Sequence, residues 1–237
     1  MSRFQATDAV ARIVATSPRT SRVFERHAID YCCGGGVSLA EACAKKGLEP
    51  ARVLDELESA GAPGGPAEDL SRLGLRDLVD RILSMHHTFV KREIPRLSGL
   101  LEKVVRVHGA NHPELLAPLA RLWGEVSPAL MQHLEKEEEM LFPWIVALDE
   151  RRLPPEIARS LDAPIEMMEA EHDEAGAVFG RMRTIANGYV PPADACGSFR
   201  ALWSGLDEFE LDLHRHVHLE NHVLFPAVRA RVESGPT

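Results

Sequence analysis

The chain has 237 residues, an apolar fraction of 45%, and 36 acidic against 27 basic side chains, for a net charge of −9. That balance argues against nucleic acid or an anionic membrane as partner, since both want a basic face, and no apolar run reaches the length of a membrane span. Ala, Leu, Glu and Arg are plentiful and β-branched runs are few, which favours helix; four Cys, two of them adjacent, do not make a disulfide scaffold and fit a reducing cytoplasm.

In chain order, residues 1–62 read as a small domain of short helices. Its start, "MSRFQATDAVARIVATSPR", lacks the apolar core and cleavage site of a secretory signal. Ser17-Pro18 offers an N-cap with a first-turn Pro, Ser38 with Glu41 a capping box, and Gly47 a helix stop. Pro50 opens another helix that ends near Gly61. Between them lies "DYCCGGG", residues 30–36. Adjacent Cys rarely pair with each other, and amides at the helix start after Ser38 favour thiolate, so Cys32 and Cys33 form a candidate reactive or metal-binding site. A tight turn with one buried and one exposed thiol is the competing reading. Cys43 and Cys196 read as structural or incidental.

Residues 63–74, within "GAPGGPAEDLSRLG", are rich in Gly and Pro and read as a linker. Residues 75–237 then give four long helical patterns, about 75–107, 115–148, 164–186 and 195–232, with Pro95, Pro128 and Pro143 as interruptions. Modest loops between them predict an up-down-up-down four-helix bundle. "HRHVHLENH" alternates, but it sits inside a sustained helical pattern, so helix wins over strand.

The second and fourth patterns carry the same element. "HLEKEEEMLFP" (133–143) and "HVHLENHVLFP" (216–226) align on their final Leu-Phe-Pro, pairing His133 with His216 and Glu137 with Glu220. Steps of three and four residues along each apolar stripe lead to His133 and Glu137 on the second helix and to His216 and Glu220 on the fourth. The third stripe holds His172. The first, through Val79 and Ile82, holds His86, with His87 as rival on a weaker stripe. A lone His on an apolar face is usually a hydrogen-bonded core residue. Four imidazoles and two carboxylates facing one core are another matter, because unpartnered buried charge costs several kcal/mol. Cations would remove that cost. The set counts correctly for two, with two terminal His each and both Glu bridging, and N and O donors without thiolate suit iron or manganese. Glu135, Glu138 and Glu139 read as a solvated acidic face, and His214, His218 and His222 as an exposed stripe. His108 reads as a group standing behind the ligands or as an extra ligand.

An N-terminal domain with "DYCCGGG" followed by a bundle with "HLEKEEEMLFP", "EAEHDEAG" and "HLENHVLFP" resembles the repair-of-iron-centres family, whose bundle is similar to hemerythrin. The resemblance covers nearly the whole chain. It implies an all-α, hemerythrin-like bundle behind a small helical domain, and two non-haem irons, carboxylate-bridged with or without an oxo bridge. The family's ligands match His86, His133, Glu137, His172, His216 and Glu220, its additional His matches His108, and its Cys pair matches Cys32 and Cys33. It further implies a cytoplasmic protein that restores iron–sulfur clusters damaged by nitrosative or oxidative stress, and a homodimer is open to it on sequence grounds. Its partners would be nitric oxide or another diatomic, the damaged proteins and an electron donor, with nitric oxide bound or reduced at the iron pair. The alternative is a hemerythrin-like carrier or sensor of nitric oxide or oxygen, which has no need of the Cys pair.

Overall fold

The structure is a computed structural model that describes residues 3–61 and 69–234. Most of the expected linker, residues 63–68, lies outside the described residues. Its end carries a short 3-10 turn, Leu70–Arg72, capped by Asp69. The all-α expectation holds, since the described residues contain helices and one isolated bridge, Ala9 to Ser38. Among them, no helix is long and apolar enough to cross a membrane.

Four short helices come first: α1 (Val10–Thr16), α2 (Ser21–Arg26), α3 (Leu39–Lys46) and α4 (Pro50–Gly61). Ser38 caps α3 by accepting from the Glu41 amide at 3.2 Å, and Gly47 ends it in the left-handed region at φ 66°. Ser17 precedes a 3-10 turn, Pro18–Thr20, without making a side-chain cap. Ile13, Phe24, Tyr31, Leu39, Val53 and Leu57 are buried together as the core of this part.

The later helices are longer and interrupted. α5 (Leu75–Ile82) passes through a π turn, Leu83–His87, into α6 (Thr88–His108). α7 (Pro113–Lys136) passes through a second π turn, Glu137–Leu141, into α8 (Phe142–Asp149). After α9 (Pro155–Ala158) come α10 (Asp162–Ile185) and α11 (Gly197–Leu219), and a third π turn, Glu220–Leu224, leads into α12 (Phe225–Glu233).

The chain divides into two compact units. One is built from Arg81–Trp144 and Ser160–Leu213. Here the helical bundle packs on an aromatic cluster in which Phe179 stacks on Phe209 at 5.5 Å and Trp123 meets Phe209 edge-on at 5.4 Å. The other comprises the described residues of Met1–Asp80, Ile145–Arg159 and His214–Thr237. In it, the helices α1 to α4 share a unit with the C-terminal half of the last bundle helix. Arg215 pairs with Glu25, which also accepts from the Tyr31 hydroxyl at 2.9 Å. His218 Nδ1 donates to the Tyr31 carbonyl at 2.9 Å. The expected exposed His stripe is therefore corrected: His218 is 2% exposed and His214 and His222 are half-buried. Burial pushes the His218 pKa down to about 4, so the imidazole is neutral and its Nδ1–H can donate.

The loop that carries the Cys pair is held to α1. Ala11 N donates to the Gly35 carbonyl at 2.8 Å and Val10 N to the Val37 carbonyl at 3.0 Å. A Cβ on Gly35 would stand 2.4 Å from the Tyr31 carbonyl oxygen and 2.8 Å from Ala11 Cβ, both too close. Gly35→Ala is expected to destabilise this part by about 1–3 kcal/mol, read as a lowered denaturation midpoint. An unchanged midpoint would mean that the loop gives way freely.

Candidate metal centre

Each π turn falls at a residue singled out by the stripes. A π turn closes i→i+5 bonds rather than i→i+4, and such turns are frequent at functional sites. Pro143 and Pro226 explain two of them locally. Proline has no N–H to give and its ring pushes away the carbonyl four residues earlier, so the turn just before each Leu-Phe-Pro widens. In the first π turn, the Thr88 hydroxyl donates to the Leu83 carbonyl at 3.0 Å, five residues back.

That widening decides between the two neighbouring His. Four residues on from Ile82 lies His86, and five residues on lies His87. The structure turns His87 to the carboxylate: its Nε2 is 3.4 Å from Glu137 Oε2, and its ring lies 5.4 Å from Phe142. His86 instead directs Nδ1 to Asp212 Oδ1 at 3.1 Å. The apolar stripe selects His86, but with the extra residue in the turn it is His87 that meets Glu137, while His86 meets Asp212.

Glu137 is fully buried, at 0% exposure. Its Oε2 faces His87, while its Oε1 is 3.4 Å from His133 Nε2. One carboxylate thus presents its two oxygens to two different imidazoles, which is how a bridging carboxylate is placed. His133 Nε2 also lies 2.9 Å from His172 Nε2. Two nitrogens about 2.0–2.1 Å from one cation, at right angles to each other, would be about that far apart. Ligand atoms of His133, Glu137 and His172 all lie within 4.8 Å of one another. In the unit that includes His214–Thr237, His216 Nε2 is 3.0 Å from Glu220 Oε1, and these residues are 1% and 0% exposed.

The imidazoles are oriented from behind. His87 Nδ1 bonds Glu138 Oε1 at 2.7 Å, and His133 Nδ1 bonds Glu171 Oε2 at 2.8 Å. A carboxylate at Nδ1 fixes the proton there and leaves Nε2 as the donor atom for a metal. For both glutamates burial pushes the pKa up, but bonds to a lysine and to the histidine outweigh it, so each carboxyl sits below its usual range. Both are ionised at neutral pH. The acidic-face reading is thereby corrected for Glu138, while Glu135 and Glu139 are exposed as expected. Glu138, Glu171 and Asp212 escaped the sequence reading, although Glu138 and Glu171 each adjoin a ligand-type residue in the chain.

The donor set fits cations. The buried Glu137 stands beside His87 and His133, whose far nitrogens are already engaged, and no thiolate belongs to the group. His108 places its Nε2 3.2 Å from Cys196 Sγ, and its ring lies 5.3 Å from that of Phe199.

The Cys pair is organised by Asp30. Its carboxylate accepts the amides of Cys32, Cys33 and Gly34 at 2.9, 3.0 and 2.9 Å. Burial alone would raise the Asp30 pKa, but these amides hold it below the usual carboxylate range. Cys32 is buried and Cys33 half-buried, with their sulfurs 3.8 Å apart. The expectation of an easily ionised thiol fails for Cys32. Hydrogen bonding to Cys33, then burial, then the charges of Cys33 and Asp30 push its pKa up.

A cavity of about 290 Å³ is lined by His133 and His172 together with Lys136, Glu171, Leu130 and Ala175, among others. It brings space for a small molecule to the buried imidazoles.

Residues 78–228 match the hemerythrin HHE cation binding domain, and residues 6–61 match a domain of unknown function, DUF542. The chain is 34% identical over 229 residues to a probable iron-sulfur cluster repair protein of Haemophilus influenzae, covering 94% of this chain and 97% of the relative. It is 37% identical over 212 residues to the iron-sulfur cluster repair protein YtfE of Pectobacterium atrosepticum, covering 88% and 90%. The corresponding protein of Yersinia pseudotuberculosis is 35% identical over 209 residues, with the same coverage.

The two neighbouring His should separate in metal analysis. His87→Ala is expected to weaken metal binding by more than the 10–100-fold typical for groups behind a ligand, while His86→Ala retains the full complement. The reverse ranking would return the role to His86.

Proposed function

We infer what this protein does from the family it belongs to, the proteins that join a DUF542 domain to a hemerythrin HHE cation binding domain. The chain holds two iron ions and takes part in the repair of iron–sulfur clusters, the role carried in its relatives' names. The observation that carries the reading is Glu137, buried at 0% exposure with one oxygen toward His87 and the other toward His133.

In this reading His87, His133, His172 and His216, with the carboxylates of Glu137 and Glu220, would hold the iron. The matched domain spans all six residues, and the repeated His-x-x-x-Glu element makes Glu220 the counterpart of Glu137. Iron held by these residues would supply a centre able to exchange single electrons and to bind diatomics such as nitric oxide. The chain's own part is to hold the imidazoles of His87 and His133 with the proton on Nδ1, to keep bulk water from Glu137, and to leave the cavity beside His133 and His172 for a small ligand. The partners that follow are nitric oxide or a similar diatomic, damaged iron–sulfur proteins and an electron donor, in the cytoplasm.

Cys32 and Cys33 take the role of handling thiols. The asymmetry supports it, because a buried, protonated Cys32 stands next to a more accessible Cys33 on a loop that Asp30 holds by three amides.

Metal analysis and optical spectra of protein purified anaerobically, without a His tag, test the first part. Two irons per chain, both lost in His133→Ala, and a spectrum that changes on titration with nitric oxide are expected. Zinc alone, or a folded helical protein without metal, would overturn the reading. For the thiols, a Cys32→Ser, Cys33→Ser double variant should keep its iron and lose most cluster-repair activity. Full repair by that variant would remove the pair from the mechanism.

A further inference from the structure

Behind two of the metal-facing imidazoles the protein builds the same arrangement twice. His87 Nδ1 bonds one oxygen of Glu138 at 2.7 Å, and the other oxygen accepts from Lys91 Nζ at 2.6 Å. His133 Nδ1 bonds one oxygen of Glu171 at 2.8 Å, and the other accepts from Lys136 Nζ. The two imidazole residues are 1% and 3% exposed. The lysine side chains are 42% and 38% exposed. Each relay therefore runs from a buried donor nitrogen to the surface through an imidazole, a carboxylate and an ammonium.

The duplication does not come from the sequence repeat. In the second copy of the element, the positions of Lys136 and Glu138 hold Leu219 and Asn221. Lys91 follows His87 by four residues, whereas Lys136 follows His133 by three. In both relays the carboxylate arrives from a different helical segment, Glu138 from the second π turn and Glu171 from α10. Two independent routes to one three-group chain point to a shared task.

The chemistry of that task follows from charge. A carboxylate on Nδ1–H makes Nε2 a stronger donor and tightens the metal. An ammonium on the same carboxylate withdraws part of that charge and adds a positive charge near the cation. Solvent and salt screen the lysines at their exposure, so their effect is a moderate one.

Resting on the reading of His87 and His133 as ligands, the geometry points to Lys91 and Lys136 as positioning residues that loosen the metal through Glu138 and Glu171. The glutamates tighten the centre and the lysines keep it releasable. A protein that hands iron on, or loses it under stress, needs that second half. Lys136 and Glu171 also wall the cavity beside His133 and His172, so this relay is reachable by an accepting group.

The test is the rate at which anaerobically loaded ferrous iron passes from the full chain to a ferrous chelator, with helical content checked in each variant. Lys91→Met and Lys136→Met keep the stem and remove the charge, and each is expected to slow release roughly two- to fivefold. Lys91→Arg and Lys136→Arg keep the charge and should match the parent. Glu138→Gln and Glu171→Gln should release iron roughly 10–100-fold faster. Release from either Met variant at the parent's rate or faster overturns the proposal, as does equal slowing in the matching Arg variant. A parent chain that binds no iron would instead sink the metal reading itself, so the two failures are distinguishable.

Discussion

Everything in this molecule answers to the burial of carboxylate in an apolar core. Glu137 and Glu220 are both at 0% exposure, among helices whose inward faces are Leu, Phe and Trp. An ionised carboxylate placed there alone would be several kcal/mol unfavourable. Imidazoles at hydrogen-bonding or near-contact distance, and the cations they accommodate, turn that liability into a site. The partners behind the imidazoles extend the same logic outward. Behind His87 and His133 a carboxylate and then a lysine follow, until solvent is reached.

The π turns are the geometric side of the same constraint. A regular helix repeats its faces at steps of three and four, so a His and a Glu one turn apart share a face but leave little freedom in how they converge. Inserting one extra residue per turn re-aims the side chains next to it while the helix continues. Leu83–His87, Glu137–Leu141 and Glu220–Leu224 each do this beside a His or Glu of the site. In two cases the chain encodes the widening with a proline six residues beyond the Glu. The Leu-Phe-Pro that closes both copies of the repeat is therefore part of the site's machinery as much as its His and Glu.

How much of this was legible depended on whether the signal was periodic. The bundle, the helix starts at Ser38 and Pro50, and the convergence of His133, Glu137 and His172 all follow from spacing, and spacing is what a sequence displays. Stepping by four from Ile82 selects His86 over His87 because it presumes a regular helix, and nothing in "SMHH" announces a wider turn. His218 looked exposed because the stripe opposite a bundle's core normally faces water. A single chain does not say which faces another of its own segments will cover. Glu138 and Glu171 were hidden inside acidic runs, whose usual fate is solvation. Cys32 misled in another way: amides nearby favour a thiolate, but burial and a neighbouring thiol and carboxylate outweigh them.

The helix that bears His216 and Glu220 has a further consequence. Between those residues it gives His218 to the carbonyl just before the Cys pair, and one residue before His216 it gives Arg215 to Glu25. A single rigid turn thus carries two kinds of attachment at alternating positions. Thermodynamic linkage then requires reciprocity. A shift of that turn on occupancy at His216 and Glu220 would be felt in the seating of the thiol loop, and seating the loop would then act back on occupancy by the same factor. The turn that carries His216 and Glu220 is thus also the turn on which the thiol loop is seated.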